Sequence, residues 1–367
     1  MTTHIFIVNE TTFPIHLRYL FAGTGAGDKK EHFGLLADIR RVRSEDNVIF
    51  YLERVGFYGL FKIADGKPIV FSGSEYLKKE LDKKLIYRTL IEPLSVYPNY
   101  ISEWDALDKL PVYAKDVIWS LIYRKLKGIR GCTPITPDES KRLIEMIKIA
   151  NHNKTLKKSS SGEHYTWDEV SKKIKISKGS FKYADQKRNC PDLIEEIIKR
   201  DRENRAYEDV LEAYFTENAG SQELEKICGP EKNIVWLGNQ VYCGVGMQKI
   251  DVFTIAEEQR GNKVFRLIEL KDDPLRPEII SYQINRYVDW THSYISGANN
   301  SNVQPIVVAR EVVKKYGKDL SPTKEWTLRN RAIKEAKAFN GLKKAKKIAL
   351  FEYNFRDSRM DFSEVDY

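Results

Sequence analysis

The sequence predicts two domains: an α+β barrel-like domain rich in short strands, followed by an α/β domain. Three observations carry this. The chain of 367 residues is long enough for about two domains of roughly 150 residues each. Its first 110 residues hold short apolar segments separated by turn residues, the rhythm of a compact sheet. Its last part alternates strands with amphipathic helices, the pattern of an α/β layer.

In the first part, Ile5–Val8, Gly34–Ile39, Val48–Leu52, Gly59–Ile63 and Pro68–Phe71 are expected as strands, with Tyr87–Glu92 as a further one. Asp46-Asn47 and Ala64-Asp65-Gly66-Lys67 supply turn chemistry between them. Ile118, Leu121, Ile122 and Leu126 then recur at helical spacing, with Arg124, Lys125 and Lys127 on the other side and Arg130 just beyond. A second helix begins at Thr136-Pro137-Asp138-Glu139. Thr136 caps it, Pro137 fits its first turn, and Glu139 completes a capping box. Leu143, Ile144 and Ile147 form its buried face.

From Asn151 to about Gly162 the apolar pattern stops, and the run Lys-Lys-Ser-Ser-Ser-Gly reads as a linker. The Lys-rich stretch from 164 to 200 reads as short helical pieces. The expected division is thus 1–150 for recognition, 151–200 as a basic linker and helical bridge, and 201–367 as the second domain.

Composition limits the partners. The chain is 42% hydrophobic and 31% charged, as expected of a foldable, water-soluble protein. Its longest apolar runs fall far short of the roughly 18 residues needed to cross a bilayer. No basic leader with a long apolar run opens the chain, so a cytoplasmic, nucleoid-associated protein is expected. Lys and Arg total 61 against 52 for Asp and Glu, a net charge of +9. That excess favours polyphosphate partners through counterion release, although many proteins carry as much. Cys132, Cys190, Cys228 and Cys243 form no C-x-x-C pair, so reduced structural thiols are expected rather than a zinc site or disulfides.

Ala22 to Lys30 is glycine-rich, yet Asp28 precedes Lys29 and Lys30 stands where a hydroxyl belongs. Neither the phosphate cradle nor the magnesium ligand of a Walker loop is present.

The second domain holds the sharper signal. Gln248–Ile255 alternates as a strand with Asp251, Phe253 and Ile255 on one face, and Gln259-Arg260-Gly261-Asn262 makes a turn. Val264–Lys271 returns with Phe265, Leu267, Glu269 and Lys271 on one face. A hairpin can therefore bring Asp251 close to Glu269 and Lys271. Two carboxylates beside a lysine suit metal-assisted phosphodiester cleavage: the acids hold a hard cation, and the lysine offsets charge on the phosphate. The competing reading is a salt-bridged strand pair. Charges interrupting the apolar strand Phe265–Leu270 are costly unless paired or metal-bound. Upstream, Val210, Leu211, Tyr214 and Phe215 stripe a helix flanked by Glu208. Downstream, Gln283 interrupts the apolar face of Ile279, Ile280, Ile284, Tyr287 and Val288.

Asp251 followed by Glu269-Leu270-Lys271 resembles the signature of PD-(D/E)XK, or restriction-endonuclease-like, nucleases. The second domain is similar to the catalytic domain of the archaeal NucS/EndoMS endonucleases over about 150 residues. The resemblance rests on Tyr207-Glu208-Asp209 to Asn218, Lys249-Ile250-Asp251-Val252, Gln283-Ile284-Asn285-Arg286-Tyr287-Val288 and Val303–Ala309. It implies metal binding by Asp251, Glu269 and the Leu270 backbone, with Glu208, Lys271 and Gln283 completing the catalytic set. A longer insertion around Cys228-Gly229-Pro230 departs from that family.

The first domain resembles PUA-like modules of the EVE/YTH kind through Phe33–Leu36, Asp46–Tyr51 and Gly56–Ile63. This implies reading of an extruded base in an aromatic pocket, with Tyr51, Phe57, Trp104 and Trp119 as stacking candidates. Arg124, Lys125, Lys127 and Arg130 are the candidates for backbone phosphates. Together these readings imply a Mg2+- or Mn2+-dependent DNA endonuclease, dependent on a modification, with a homodimer favoured by two-strand cleavage. A mismatch- or structure-specific NucS-like enzyme and a non-catalytic nucleic-acid reader stand as alternatives.

Overall fold

The computed structural model describes residues 1–25, 32–64, 76–82, 84–108, 131–184, 191–243, 248–258, 261–312, 324–356 and 359–367. The chain divides into two compact units, Met1–Cys190 and Pro191–Tyr367.

The first unit is built on β1 (Thr3–Val8), which lies parallel to β3 (Asn47–Leu52) with Ile5 beside Ile49 and Phe6 beside Phe50. A parallel pair needs a crossover, and this one carries the helices Phe13–Tyr19 and Phe33–Arg40 and the strand β2 (Phe21–Thr24). With β4 (Gly56–Ile63), β5 (Tyr87–Pro93), β6 (Ile101–Ser102) and β7 (Cys132–Ile135) it forms a seven-stranded mixed sheet. The main path runs β2-β5-β4-β3-β1-β7. The two outermost strands nonetheless approach each other: a Cβ added at Gly131, beside β7, would collide with the Thr24 hydroxyl at the end of β2. The sheet therefore curls well towards closure. Phe13, Phe50 and Phe61 pack inside it, each successive pair of rings 5.5 Å apart.

Three expectations change here. Gly34–Ile39 is helical, within Phe33–Arg40, and almost every residue of it is buried. A short run whose one polar residue, Asp38, is itself buried reads equally well as strand or helix, because periodicity has too little polar contrast to work against. Residues 163–178 form a hairpin, β8 (Glu163–Asp168) with β9 (Lys173–Lys178), in place of helical pieces, whereas the end of the stretch is helical as expected, in Leu193–Arg202. Residues 151–162 are also held to the first unit: Leu156 bridges to Val96, and Asn151 exchanges hydrogen bonds with the Asn99 backbone. Pro68–Phe71 and the expected helix over 118–127 lie outside the described residues.

The helix Pro137–Ala150 begins as its sequence indicates. The Thr136 hydroxyl accepts from the Glu139 N–H at 3.3 Å, and the Glu139 carboxylate accepts from the Thr136 N–H at 2.8 Å. Its Leu143 and Ile147 join Ile5, Ile49 and Ile135 in one core cluster.

The second unit is a six-stranded sheet ordered β10 (Ile234–Cys243), β11 (Gln248–Glu257), β12 (Lys263–Leu270), β13 (Val303–Arg310), β14 (Ala349–Arg356) and β15 (Arg359–Glu364). β10, β11 and β12 form an antiparallel meander, while β13 and β14 run parallel to β12. Helices Asn285–Tyr294 and Lys324–Gly341 make the crossovers these parallel strands require. A π-helical turn, Ile279–Ile284, leads into the first. The helix Glu208–Asn218 is buried from Val210 to Thr216. The insertion around Cys228 folds as a short helix, Glu225–Cys228, whose last carbonyl accepts from the Thr254 hydroxyl at 2.8 Å. Cys132, Cys228 and Cys243 are buried, and Cys190 lies outside the described residues. Among the described residues no helix is long and apolar enough to cross a membrane.

Candidate active site

The meander of the second unit builds the site. Val252 pairs with Ile268 across β11 and β12, which brings Asp251 beside the end of β12. There the Asp251 Oδ2 accepts the Leu270 backbone N–H at 2.9 Å. Glu269 points into the protein and is 1% exposed. Lys271 follows immediately after the strand, and its Nζ lies 2.9 Å from Glu269 Oε1 and 3.2 Å from Glu208 Oε1. Thus Glu208, Asp251, Glu269 and Lys271, which lie in three separate stretches of sequence, meet at the end of β12, an interior strand of the sheet.

Four further residues join them. Tyr287, on the crossover helix, has its hydroxyl 2.9 Å from Glu269 Oε2 and 2.7 Å from the Lys249 carbonyl oxygen. The Gln240 Nε2 donates to Glu212 Oε2 at 2.7 Å and to Asp251 Oδ1 at 3.1 Å. The Asn239 side-chain amide donates to Glu212 Oε1. Glu212 sits one helical turn beyond Glu208, a spacing that places the two on one side of the helix. Its signal was available in the sequence, as a charge within the apolar run Val210–Phe215. Gln283, four residues ahead of Tyr287, is partly exposed and makes no side-chain hydrogen bond among the described residues.

The electrostatics follow from this crowding. Burial pushes the Asp251 carboxyl well above the ordinary range, and the charge of Glu269 adds to it. Lys271 and the Leu270 N–H act the other way without reversing the shift. Burial disfavours the Lys271 ammonium, but Glu269, Asp251 and Glu208 outweigh it and hold the lysine charged. Burial also raises Glu208. Two acids are therefore held close together with only part of their repulsion relieved by the lysine.

Among the described residues no group of three or more His, Cys, Asp and Glu side chains converges as a metal site. A magnesium-type cation does not need one. It is usually held by one or two carboxylates, with water and substrate phosphate oxygens filling its remaining positions. The Asp251 and Glu269 carboxylates with the Leu270 carbonyl offer hard oxygen donors of that kind. A cation would offset both the burial of the Asp251 charge, which is the main cause of its shift, and the Glu269 charge beside it.

In the first unit the aromatic candidates separate. Tyr51 and Phe57 are core residues with rings 5.1 Å apart, and the Tyr51 hydroxyl donates to Glu103. They lie on the sheet face opposite to Phe50, buried beneath Leu143 and Ile147 of the helix Pro137–Ala150, which leaves neither ring open to a base. Trp104 is 69% exposed on the short helix Glu103–Asp108. Trp119, Arg124, Lys125, Lys127 and Arg130 lie outside the described residues.

No protein-family model and no curated protein matches the sequence. Among solved structures, the chain is similar to human THYN1 protein in complex with 5-methylcytosine-containing DNA, at 11% identity and a TM-score of 0.29. That likeness covers 40% of this chain and 98% of the THYN1 chain. A second, to protein Atu2648 from Agrobacterium tumefaciens, has 14% identity and a TM-score of 0.26, covering 43% of this chain and all of the other. Likenesses of this size carry no functional argument.

Proposed function

We propose that the chain is a divalent-metal-dependent DNA endonuclease of the PD-(D/E)XK type, with its catalytic centre in the second unit. The observation that carries this reading is the meeting of Asp251, Glu269 and Lys271 at the junction of β11 and β12. When bound, Mg2+ or Mn2+ supplies Lewis-acid polarisation of the phosphate and lowers the pKa of a coordinated water. Asp251, Glu269 and the Leu270 carbonyl are the groups that hold it. Lys271 brings a positive charge held beside those acids, suited to offset charge developing on the phosphate. Glu208 and Glu269 fix the position of that ammonium from two sides.

The first unit, on this reading, is a PUA-like module that selects a modified or mispaired base, so that cleavage depends on modification. Its curled sheet and the strand rhythm around Asp46–Ile63 support that role, and exposed Trp104 remains a stacking candidate. A mismatch-specific enzyme would use the same chemistry with different substrate choice. A panel of unmodified, modified, mismatched and single-stranded DNAs, incubated with and without Mg2+ or Mn2+, separates these substrates. Cleavage of none of them under any condition would leave binding alone as the activity.

A further inference from the structure

Gln240 lies directly across the β10–β11 ladder from Asp251, since Asn239 pairs with Val252 and Val241 with Ile250. Directly opposed residues of an antiparallel pair share a face of the sheet, within side-chain reach. The Gln240 backbone is left-handed, with φ of 48°, which is uncommon for a residue other than glycine. Its single amide nitrogen has two protons and meets two carboxylates, Glu212 at 2.7 Å and Asp251 at 3.1 Å. The other Asp251 oxygen is held by the Leu270 N–H at 2.9 Å. Both oxygens of Asp251 are thus restrained from outside the pair it forms with Glu269, and each retains a second lone pair for a further partner.

We propose that Gln240 is a positioning residue that holds Asp251 against Glu212 and thereby sets the affinity of the Asp251/Glu269 pair for a divalent cation. This rests on the nuclease reading above and adds a residue to it. A carboxylate that binds a hard cation must keep its orientation, and partners that orient a ligand govern affinity nearly as strongly as the ligand itself. Gln240 also places an amide between Asp251 and Glu212, whose charges would otherwise face one another. A glutamine that only satisfied Glu212 would not need to reach Asp251.

The test uses the full chain and reads Mn2+ binding directly, from the loss of the free-ion electron paramagnetic resonance signal, beside DNA cleavage. Gln240→Gly suits the left-handed backbone, so the thermal midpoint should be kept while the amide is lost. Gln240→Met keeps the volume and removes both donors. Both variants should bind Mn2+ about 10- to 100-fold more weakly, with the KM for DNA unchanged. Asp251→Ala should lose Mn2+ binding altogether. Wild-type Mn2+ affinity in both Gln240 variants, with binding lost in Asp251→Ala, overturns the positioning role and leaves the nuclease reading standing. Wild-type affinity in Asp251→Ala removes the cation site itself, and the role of Gln240 falls with it.

Discussion

The Tyr287 hydroxyl lies 2.9 Å from the Glu269 carboxylate, joining the crossover helix to the strand that carries the acid. The same hydroxyl reaches the Lys249 carbonyl, two residues before Asp251, at 2.7 Å. One side chain from the helix therefore touches both strands of the site. The helix earns its place in the chemistry through Tyr287 more than through Gln283, which has no such bond.

Tyr287→Phe should remove the single hydroxyl proton that the Glu269 oxygen and the Lys249 carbonyl share, while preserving the packing of the ring. Loss of a buried partner costs about 1–3 kcal/mol, measurable as a lower urea midpoint for the second unit. Glu269 should also become less well oriented, so cleavage should slow with the KM for DNA little changed. An unaltered midpoint and rate would show that the bond is dispensable.

The first unit should lose stability in acid in two steps. His4 Nε2 lies 2.8 Å from Asp46 Oδ2 in the interior. Burial lowers the His4 pKa below 6.5, although Asp46 pulls it upwards. The unfolded chain then takes up the proton first, so stability present above about 6.5 is lost as pH falls towards the lower folded value. Burial raises Asp46, but His4 and the Thr2 and Arg43 N–H groups outweigh this and leave it below 3.8. Its contribution persists above that value and is lost at still lower pH. Hydrogen exchange of β1 amides followed against pH should show protection falling below about pH 6.5, and His4→Gln should flatten this upper step. Protection that rises on acidification would contradict the assignment.

The aromatic candidates make opposite predictions. Tyr51→Ala removes a core ring and should destabilise the first unit by about 3–5 kcal/mol, the cost of large aromatic truncations. Trp104→Ala removes an exposed ring and should leave stability nearly unchanged. If Trp104 stacks on a base, its loss costs about 1–3 kcal/mol of DNA affinity, read by fluorescence anisotropy. Equal DNA affinity in the two folded proteins would remove Trp104 from recognition.

DNA binding should weaken steeply with salt. Lys154, Lys157, Lys173, Lys175 and Lys178 are exposed on and beside the β8–β9 hairpin. Replacing a lysine that contacts phosphate should weaken all sequences alike and reduce the salt slope by about one. Lys175 already pairs with Asp168 at 2.9 Å, so Lys173 is the better first choice. A wild-type affinity that barely responds to salt would rule out phosphate neutralisation as the main attraction.

What the sequence shows depends on how local each signal is. The capping box at Thr136 and Glu139 is a pattern four residues long, and its two hydrogen bonds are both present. Glu269 and Lys271 stand out because charge interrupts an apolar strand. Gln240 has no comparable mark: its importance comes from ladder register and a left-handed backbone, neither of which composition reveals. The β8–β9 hairpin was hidden for another reason. Lys173, Lys175 and Lys178 are exposed while Ile174 is buried, so the alternation spans too few apolar residues to stand apart from a Lys-rich helix.

The most direct test of the central claim is cleavage of duplex DNA by the purified full chain, wild type against Asp251→Ala, across a Mg2+ and Mn2+ titration. The arrangement of Asp251, Glu269 and Lys271 predicts metal-dependent cutting by the wild type. It predicts none by Asp251→Ala, with DNA binding largely retained because phosphate contacts come mainly from basic side chains elsewhere. Full cleavage by a folded Asp251→Ala protein would contradict it.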